Sequence, residues 1–447
     1  MTRKHRVIAS IVLLTSAHVA AQPAARQSSA RWSVPTAAEV DAVYPDAESL
    51  YVSLHQHPEL AFQETQTASA LASRMRALGY EVSTGVGRTG VVAVMKNGQG
   101  PTVMMRTEMD ALPVEEKTGL PFASHVVNQG ANGVSTPVMH ACGHDLHMAA
   151  WTGTARLMAE HRQDWSGTLI FVGQPAEEAL GGAKAMLADG LLTRFPRPDY
   201  ALSLHDDDTM ASGVIGYHPG LFRAISDAVT ITVYGRGGHG AMPHNTVDPV
   251  VLASRIVLAL QTVVSRENNP VDPVVLTIGS IHGGTAGNVI PDEVRLQLSV
   301  RTYTPEIRQR TLDAIRRIAK GEAIAAGAPR EPTVTAPAVA SAPVYNDPAL
   351  TLRLADALKR QLGDKAVVEM PLKMTSEDFA EYGVAGVRSV LLHIGAVPAA
   401  KLETAKQSGI PVPAPHSPEW APDLKPTLTA AMRAESAALL ELLSDRK

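Results

Sequence analysis

Residues 139–178 read MHACGHDLHMAAWTGTARLMAEHRQDWSGTLIFVGQPAEE. The stretch holds one helix-to-strand step. Ala149 to His161 has helical composition, and Leu169-Ile170-Phe171-Val172 is a short apolar run of the kind that forms a strand buried on both faces. The alternation continues outward in both directions. Upstream, residues 36–80 read as helical, with Val40, Val43, Leu50 and Leu54 spaced for one buried face. Val91 to Val94 and Val103 to Met105 then read as buried strands. Downstream, Ala183 to Leu192 reads as helix and Tyr200 to Leu204 as strand. Strands alternating with helices predict an α/β layered domain with a mainly parallel sheet.

The texture changes near Arg223. Residues 228–234 (AVTITVY) alternate like a half-exposed strand, 247–265 read as a long apolar helix, and VVLTIGSIHGG and EVRLQLSVRTY alternate again before a helix at about 305–326. This is a compact α+β unit of ordinary domain size. After Pro337 the first texture resumes: helix 347–362, apolar run Ser389 to Ile394, and a last helix at about 426–443. The division expected is a larger domain made of 36–223 and 337–447, interrupted by an inserted α+β domain at 224–336. A chain of 447 residues and 47.4 kDa has room for both.

Residues 1–21 (MTRKHRVIASIVLLTSAHVAA) start basic, continue apolar for 13 residues and end on small residues, the pattern of a secretory signal peptide. The apolar run is too short to span a bilayer, and no later stretch is expected to span one. Residues 22–35 form a polar lead-in. The chain is therefore expected to be exported, to the periplasm or outside the cell. Formal net charge is −4, and losing three cations and no acid with the signal takes it to −7. An acidic protein has no electrostatic case for nucleic acid or anionic lipid. The sequence has 16 His and one Cys, Cys142, so a disulfide within the chain is impossible.

The densest chemistry is MHACGHDLH, 139–147, where Cys142 and His144 flank Gly143. A tight Cys-x-His turn can aim thiolate and imidazole at one ion; the other reading is a polar loop with a buried free Cys. Glu177 and Glu178 follow the LIFVG strand directly. One carboxylate can hold a metal while its neighbour takes a proton from a metal-acidified water; the other reading is an acidic pair at a helix start. His205 closes ALSLH, and His416 lies in PAPHSPEW. Either alone is an ordinary structural histidine. As a set, Cys142, His144, Glu178, His205 and His416 are S, N and O donors at strand ends or in loops, where open α/β sheets build their sites.

In order, HPEL (57–60), RTEMDALP (106–113), MHACGHD (139–145), QPAEE (174–178), GGHGAMPH (237–244), GGTAGNVIPDE (283–293), SEDF (376–379) and HSP (416–418) resemble the metallopeptidase/amidohydrolase family of auxin-amino-acid conjugate hydrolases, hippurate hydrolases, aminoacylases and related carboxypeptidases. The resemblance runs from about residue 45 to the C-terminus. It implies two divalent metal ions per subunit, manganese or zinc ahead of cobalt or nickel, held by Cys142, His144, Glu178, His205 and His416. It implies Glu177 as general acid/base and Asp110 as a supporting carboxylate that orients a metal-binding imidazole. The inserted domain matches the family's lid and dimerisation domain. There His239 corresponds to a histidine presented near the scissile carbonyl, often from the partner subunit, and Asn288 and Arg301 to residues holding the substrate carboxylate. Read alone, His239 is a turn histidine and Arg301 a solvated strand residue.

Three departures stand out. Glu108 and Thr107 replace the usual Asp and Ala of the EMD motif, residues 124–138 are longer than usual, and Asp206-Asp207-Asp208 follow His205 where relatives carry apolar residues and proline. The acids read as a solvated loop, or as groups that disfavour acidic substrates. The function implied is metal-dependent cleavage of the amide bond of N-acyl amino acids or short peptides, by a homodimer or higher homo-oligomer. The alternatives are an exported peptide-binding protein without catalysis, or a hydrolase of ester or lactam bonds.

Overall fold

Caps decide where the helices begin. Thr36 closes a capping box with Glu39 ahead of α1 (Ala37–Gln56), and Asp248, Thr304 and Asp347 each cap a helix whose first residue is proline. The computed structural model describes Thr2 and residues 34–129, 135–337 and 341–444. The expected signal segment, apart from Thr2, and the lead-in before Val34 lie outside the described residues.

After α1 come α2 (Thr65–Ala77), β1 (Glu81–Val86), β2 (Gly90–Asn97) and β3 (Thr102–Glu108). A small hairpin, β4 (Val127–Gln129) and β5 (Ser135–Pro137), leads to α3 (His144–Glu160) and β6 (Gly167–Gln174). Then follow α4 (Gly182–Ala188), α5 (Leu191–Arg194), β7 (Tyr200–Ala211), β8 (Ile215–Tyr217) and β9 (Gly220–Arg223). The middle of the chain holds β10 (Ile225–Tyr234), β11 (Gly238–His239), α6 (Pro249–Thr262), β12 (Val275–His282), β13 (Val289–Ile290), β14 (Glu293–Thr302), α7 (Pro305–Ala325) and β15 (Thr333–Thr335). The remainder is β16 (Val344–Asn346), α8 (Pro348–Leu362), β17 (Val367–Glu369), α9 (Ala380–Val384), β18 (Arg388–Val397), α10 (Ala399–Ser408) and α11 (Leu424–Leu443).

Eight strands form one sheet in the order β1-β2-β6-β3-β7-β18-β8-β17. The β6–β3, β3–β7, β7–β18 and β8–β17 pairs are parallel, so the expected mainly parallel α/β sheet is present. Its central strands are apolar on both faces because both faces are covered. One face packs on α1, α2, α3, α8 and α11 around fully buried Trp151, Leu71 and Leu439; the other meets α4 and α9 through Met186, Phe379 and Tyr382. A second, antiparallel sheet, β12-β14-β10-β15, comes wholly from the middle of the chain. Its strands bury alternate residues, Val229, Ile231 and Val233 on β10 and Val294, Leu296, Leu298 and Val300 on β14, against α6 and α7.

Four boundaries differ from expectation. Residues 36–80 are two helices, broken at His57-Pro58, where proline keeps its predecessor out of the helical region. The 183–192 segment breaks at Gly190, whose φ is +89°. The Tyr200 strand does not stop at Leu204: β18 stays paired beside it, with Ile394 opposite Asp206 and Gly395 opposite Asp207. Finally, α6 runs into a π turn, so Pro249–Glu267 make 19 helical residues of mean hydropathy 1.3, long and apolar enough to cross a membrane by length and composition alone. That corrects the expectation that nothing after the first segment reaches such length. Leu252, Ala253, Ile256 and Leu260 of this helix are buried in the core over the second sheet.

Candidate metal centre

The carboxyl ends of β3, β6 and the middle of β7 open at one place, beside the N-terminus of α3. Gly143 makes the approach possible. Its φ is +73°, and a Cβ there would stand 2.3 Å from Asp206 Oδ2, so only glycine fits. The turn brings Cys142 and His144 round to the same point.

Each imidazole is fixed by its far nitrogen. His144 Nδ1 donates to the Asp110 carbonyl at 2.7 Å and His205 Nδ1 to the Asp206 carbonyl at 2.7 Å. Carbonyls only accept, so both rings carry the proton on Nδ1 and present Nε2 as a lone pair. His205 Nε2 lies 3.6 Å from Cys142 Sγ. His144 Nε2 lies 4.0 Å from Glu178 Oε1, and His416 Nε2 is 3.3 Å from the same oxygen. His144 Nε2 and Glu178 Oε1 are buried without a hydrogen-bond partner. His416 takes φ +73°, a region that costs a non-glycine residue about 1–2 kcal/mol, and its amide is tied to the Ala141 carbonyl at 2.7 Å.

The carboxylate turn is held from behind. Asp110 accepts the Glu177 and Glu178 amides, one on each carboxylate oxygen, both at 3.0 Å. Buried Glu64 accepts the Ala176 amide at 2.9 Å. Two acids thus clamp three successive amides, with Ala176 at φ +49°. Burial pushes the Glu177 carboxyl well above the usual range, and Glu377, Glu178 and Asp378 add to it.

The donors form groups whose ligand atoms all lie within 4.8 Å of one another: Cys142, His144 and His205; Cys142, Glu178 and His416; and His144, Glu177 and Glu178. Cys142 belongs to the first two. The orphaned imidazole nitrogen and carboxylate oxygen, and a thiol that burial and the nearby Glu178, Asp206 and Glu177 carboxylates push well up, fit divalent cations held by mixed S, N and O donors. A cavity of about 470 Å³ opens over the site, lined by Cys142, Glu177, Glu178, His205 and His416, with Arg301 among its other walls.

The structure therefore gathers Asp110, Cys142, His144, Glu177, Glu178, His205 and His416, and sets Arg301 in the same cavity. It does not bring His239 and Asn288 there. They sit together on the exposed β11–β13 pair, where Gly240 N donates to the Asn288 carbonyl at 2.8 Å, and neither lines the cavity. The described ends of the 124–138 segment do not line it either.

The third histidine of the motif is accounted for. His147 Nδ1 meets Glu108 at 3.0 Å, and its Nε2 accepts the Asp206 amide at 2.8 Å, leaving no lone pair for a metal. Burial pushes Glu108 up, but Arg106 and His147 hold it well below the usual range. The longer Glu108 side chain thus spans from arginine to histidine. Nor are the three acids after His205 a solvated loop: Asp206 and Asp207 are buried in β7. Asp206 accepts the Trp420 indole at 3.1 Å, and Asp207 is paired with His393 at 2.9 Å and with Lys373. Sequence reading missed Glu64, Arg223, Lys373 and His393, and it singled out Asp207 without its buried partners. The available signal was His393 itself, a polar residue inside the apolar run VLLHIGAV, which needs a buried partner.

A family model described as Peptidase family M20/M25/M40 matches residues 104–407. The chain is 37% identical over 330 residues to an N-acetyl-L-cysteine deacetylase of Bacillus subtilis, covering 74% of this chain and 75% of the relative. It is 38% identical over 335 residues to the hippurate hydrolase of Campylobacter jejuni, covering 74% of this chain and 83% of that one. Among solved structures it resembles the Bacillus subtilis YXEP protein, described as a dinuclear metal binding peptidase from the M20 family, with a TM-score of 0.71, 29% identity, and coverage of 91% of this chain and 100% of that one. A family match over most of the chain, with relatives this similar across three quarters or more of their own length, makes this protein a member of peptidase family M20/M25/M40.

Proposed function

We propose that this hydrolase cleaves the amide bond of N-acyl amino acids or short peptides with Glu177 as the proton-transferring group. The observation that carries the reading is the sharing of Cys142 between two donor groups directly beside Glu177. Cys142, His144 and His205 would hold one divalent ion, and Cys142, Glu178 and His416 the other, manganese or zinc before cobalt or nickel. Bound there, the pair supplies Lewis acidity toward the acyl oxygen and acidifies the attacking water.

The chain's own residues do the rest. Glu177 takes the proton of the attacking water and returns it to the departing amine nitrogen. Its buried, acid-flanked position favours the protonated form that the second transfer needs. Asp110 and Glu64 keep the carboxylate from swinging away, through the backbone amides they accept. Arg301, half-buried and donating to the Ser299 and Ser376 hydroxyls, binds the substrate carboxylate.

In this reading the chain loses residues 1–21 on export and works as a homodimer. His239 and Asn288 reach the cavity of the partner subunit, where His239 stabilises the oxyanion and Asn288 the carboxylate. Their exposure away from their own cavity supports this, as do the exposed apolar residues Val250, Val251 and Leu258 on α6.

The test is Glu177→Gln in metal-loaded protein, assayed with N-acetyl and N-benzoyl amino acids, dipeptides and the corresponding esters. Turnover is expected to fall by about 10²–10⁴-fold with ion content unchanged. Unchanged turnover would sink the mechanism. Binding without hydrolysis of any panel member would favour a non-catalytic capture protein, and ester cleavage alone a different hydrolase.

A further inference from the structure

One wall of the cavity carries a hydrogen-bonded chain that the reaction described above does not use. Lys373 pairs with Asp207 on β7, and Asp207 Oδ2 meets His393 Nδ1 on β18 at 2.9 Å. His393 Nε2 lies 3.0 Å from Arg223 Nη2 at the end of β9. A guanidinium only donates, so His393 Nε2 accepts and its proton is on Nδ1, facing Asp207. Every link has a matched donor and acceptor. The chain fixes Arg223, which is 4% exposed yet lines the cavity.

The arginine is not fully satisfied. Its Nε–H is buried and has no partner. Nη2 gives one of its two N–H groups to His393, and Nη1 faces the Ser376 carbonyl at 3.4 Å and Glu377 at 3.6 Å. A buried, unpartnered cationic donor at a cavity wall is costly unless a ligand supplies the acceptor.

The position of Arg223 says which part of a substrate it meets. Arg301 Nη1 donates to the Ser376 hydroxyl at 2.6 Å, while Arg223 Nη1 faces the carbonyl of the same residue. Ser226, three residues after Arg223, stands opposite Arg301 in the β10–β14 register and lines the same cavity. The two arginines are therefore neighbours. If Arg301 holds the α-carboxylate, as proposed above, Arg223 meets the side chain of the amino acid that carries it.

We propose that Arg223 determines specificity: its free Nε–H binds a side-chain oxygen of the released amino acid, so substrates releasing Gln, Glu, Asn or Asp are preferred over those releasing apolar residues of similar size. The inference rests on the amide-hydrolase reading and on Arg301 as carboxylate site. It bears on one alternative from sequence, that the acids after His205 disfavour acidic substrates: Asp207 is spent on Lys373 and His393, while Asp208 lines the same cavity, so among the oxygen-bearing side chains the amides of Gln and Asn are favoured over carboxylates.

The experiment compares N-acetylglutamine, N-acetylglutamate and N-acetylmethionine with metal-loaded protein. It also measures binding of the free products glutamine, glutamate and methionine by calorimetry, which needs no turnover. The expected result is that at least one oxygen-bearing substrate exceeds N-acetylmethionine in kcat/KM by about tenfold or more, with product affinities ranked likewise. Arg223→Lys, which keeps the charge and loses the Nε–H, should cut that ratio about tenfold; Arg223→Gln serves if the lysine variant does not fold. A wild-type ratio near one in both measurements overturns the proposal, as does an unchanged ratio in a folded variant. Equal hydrolysis of all three with equal product binding sinks the subsite and leaves the hydrolase reading standing. Ranked product binding without hydrolysis does the reverse.

Discussion

Asp110 shows how one side chain can set the geometry of a site it does not line. Both carboxylate oxygens are occupied by the amides of Glu177 and Glu178, and its carbonyl fixes the tautomer of His144. Asp110→Asn leaves size and carbonyl in place but turns an NH₂ toward one of those amides. Losing a charge-assisted hydrogen bond and leaving a buried donor unpaired costs about 2 kcal/mol. The urea midpoint is expected to fall at unchanged slope, and turnover to fall at least tenfold as Glu177 loses its anchor; an unshifted midpoint with full activity would show that the clamp does nothing. The grouping of Cys142, His144, Glu178, His205 and His416 was legible in sequence because S, N and O donors recur there at strand ends and in loops, within motifs that resemble a known family. Arg223 and Lys373 were not, because an arginine or lysine near a strand end has the same local context whether it meets solvent or a ligand. Glu64 escaped for a related reason: its partner, the Ala176 amide, is 112 residues away.

The N-terminus of α3 and the length of β7 are one problem at the scale of elements. The helix starts at His144 only because Gly143 turns left-handed, and that turn packs directly on Asp206 of the strand. Gly143→Ala puts a methyl group on the Asp206 carboxylate and adds the left-handed penalty of about 1–2 kcal/mol. The carboxylate must move, and with it Trp420 and the backbone carrying His205. We expect a stability loss of about 2 kcal/mol or more in urea unfolding and fewer ions bound per subunit by elemental analysis; wild-type stability with full ion content would argue against the packing. Sequence reading ended this strand at Leu204 because aspartate is depleted from strands. What kept the strand going is tertiary: β18 supplies its hydrogen bonds, His147 accepts the Asp206 amide, the Trp420 indole donates to the Asp206 carboxylate, and His393 and Lys373 engage Asp207. The alternation of long helices with apolar strands was readable from periodicity. Strands of three or four residues, such as β8, β9 and β17, are too short to show a period, yet β9 is the one that delivers Arg223.

At the scale of the whole molecule, His239 and the candidate metal centre lie apart. The candidate donors Cys142, Glu178, His205 and His416 share a cavity with Glu177 and Arg301, while His239 stands exposed elsewhere, with its Nδ1 accepting the Ala241 amide at 3.0 Å. A histidine that serves the reaction from there has to serve another copy's cavity. The face that could bring two copies together is α6, which buries Leu252, Ile256 and Leu260 inward and leaves Val250, Val251 and Leu258 outward, the last 73% exposed. Leu258→Lys tests the arrangement with little effect on the fold, since a surface change away from caps and cores shifts stability by about 0.5 kcal/mol or less. Sedimentation is expected to show a dimer for the wild type and a monomer for the variant at the same concentration. If His239 acts across subunits, the folded, metal-loaded monomer should lose about 10²–10³-fold in turnover, the effect of removing one oxyanion donor. His239→Ala in the dimer should lose as much, and combining the two changes should add little, because both remove the same contact. A monomer that turns over like the wild type would place the oxyanion donor within its own chain.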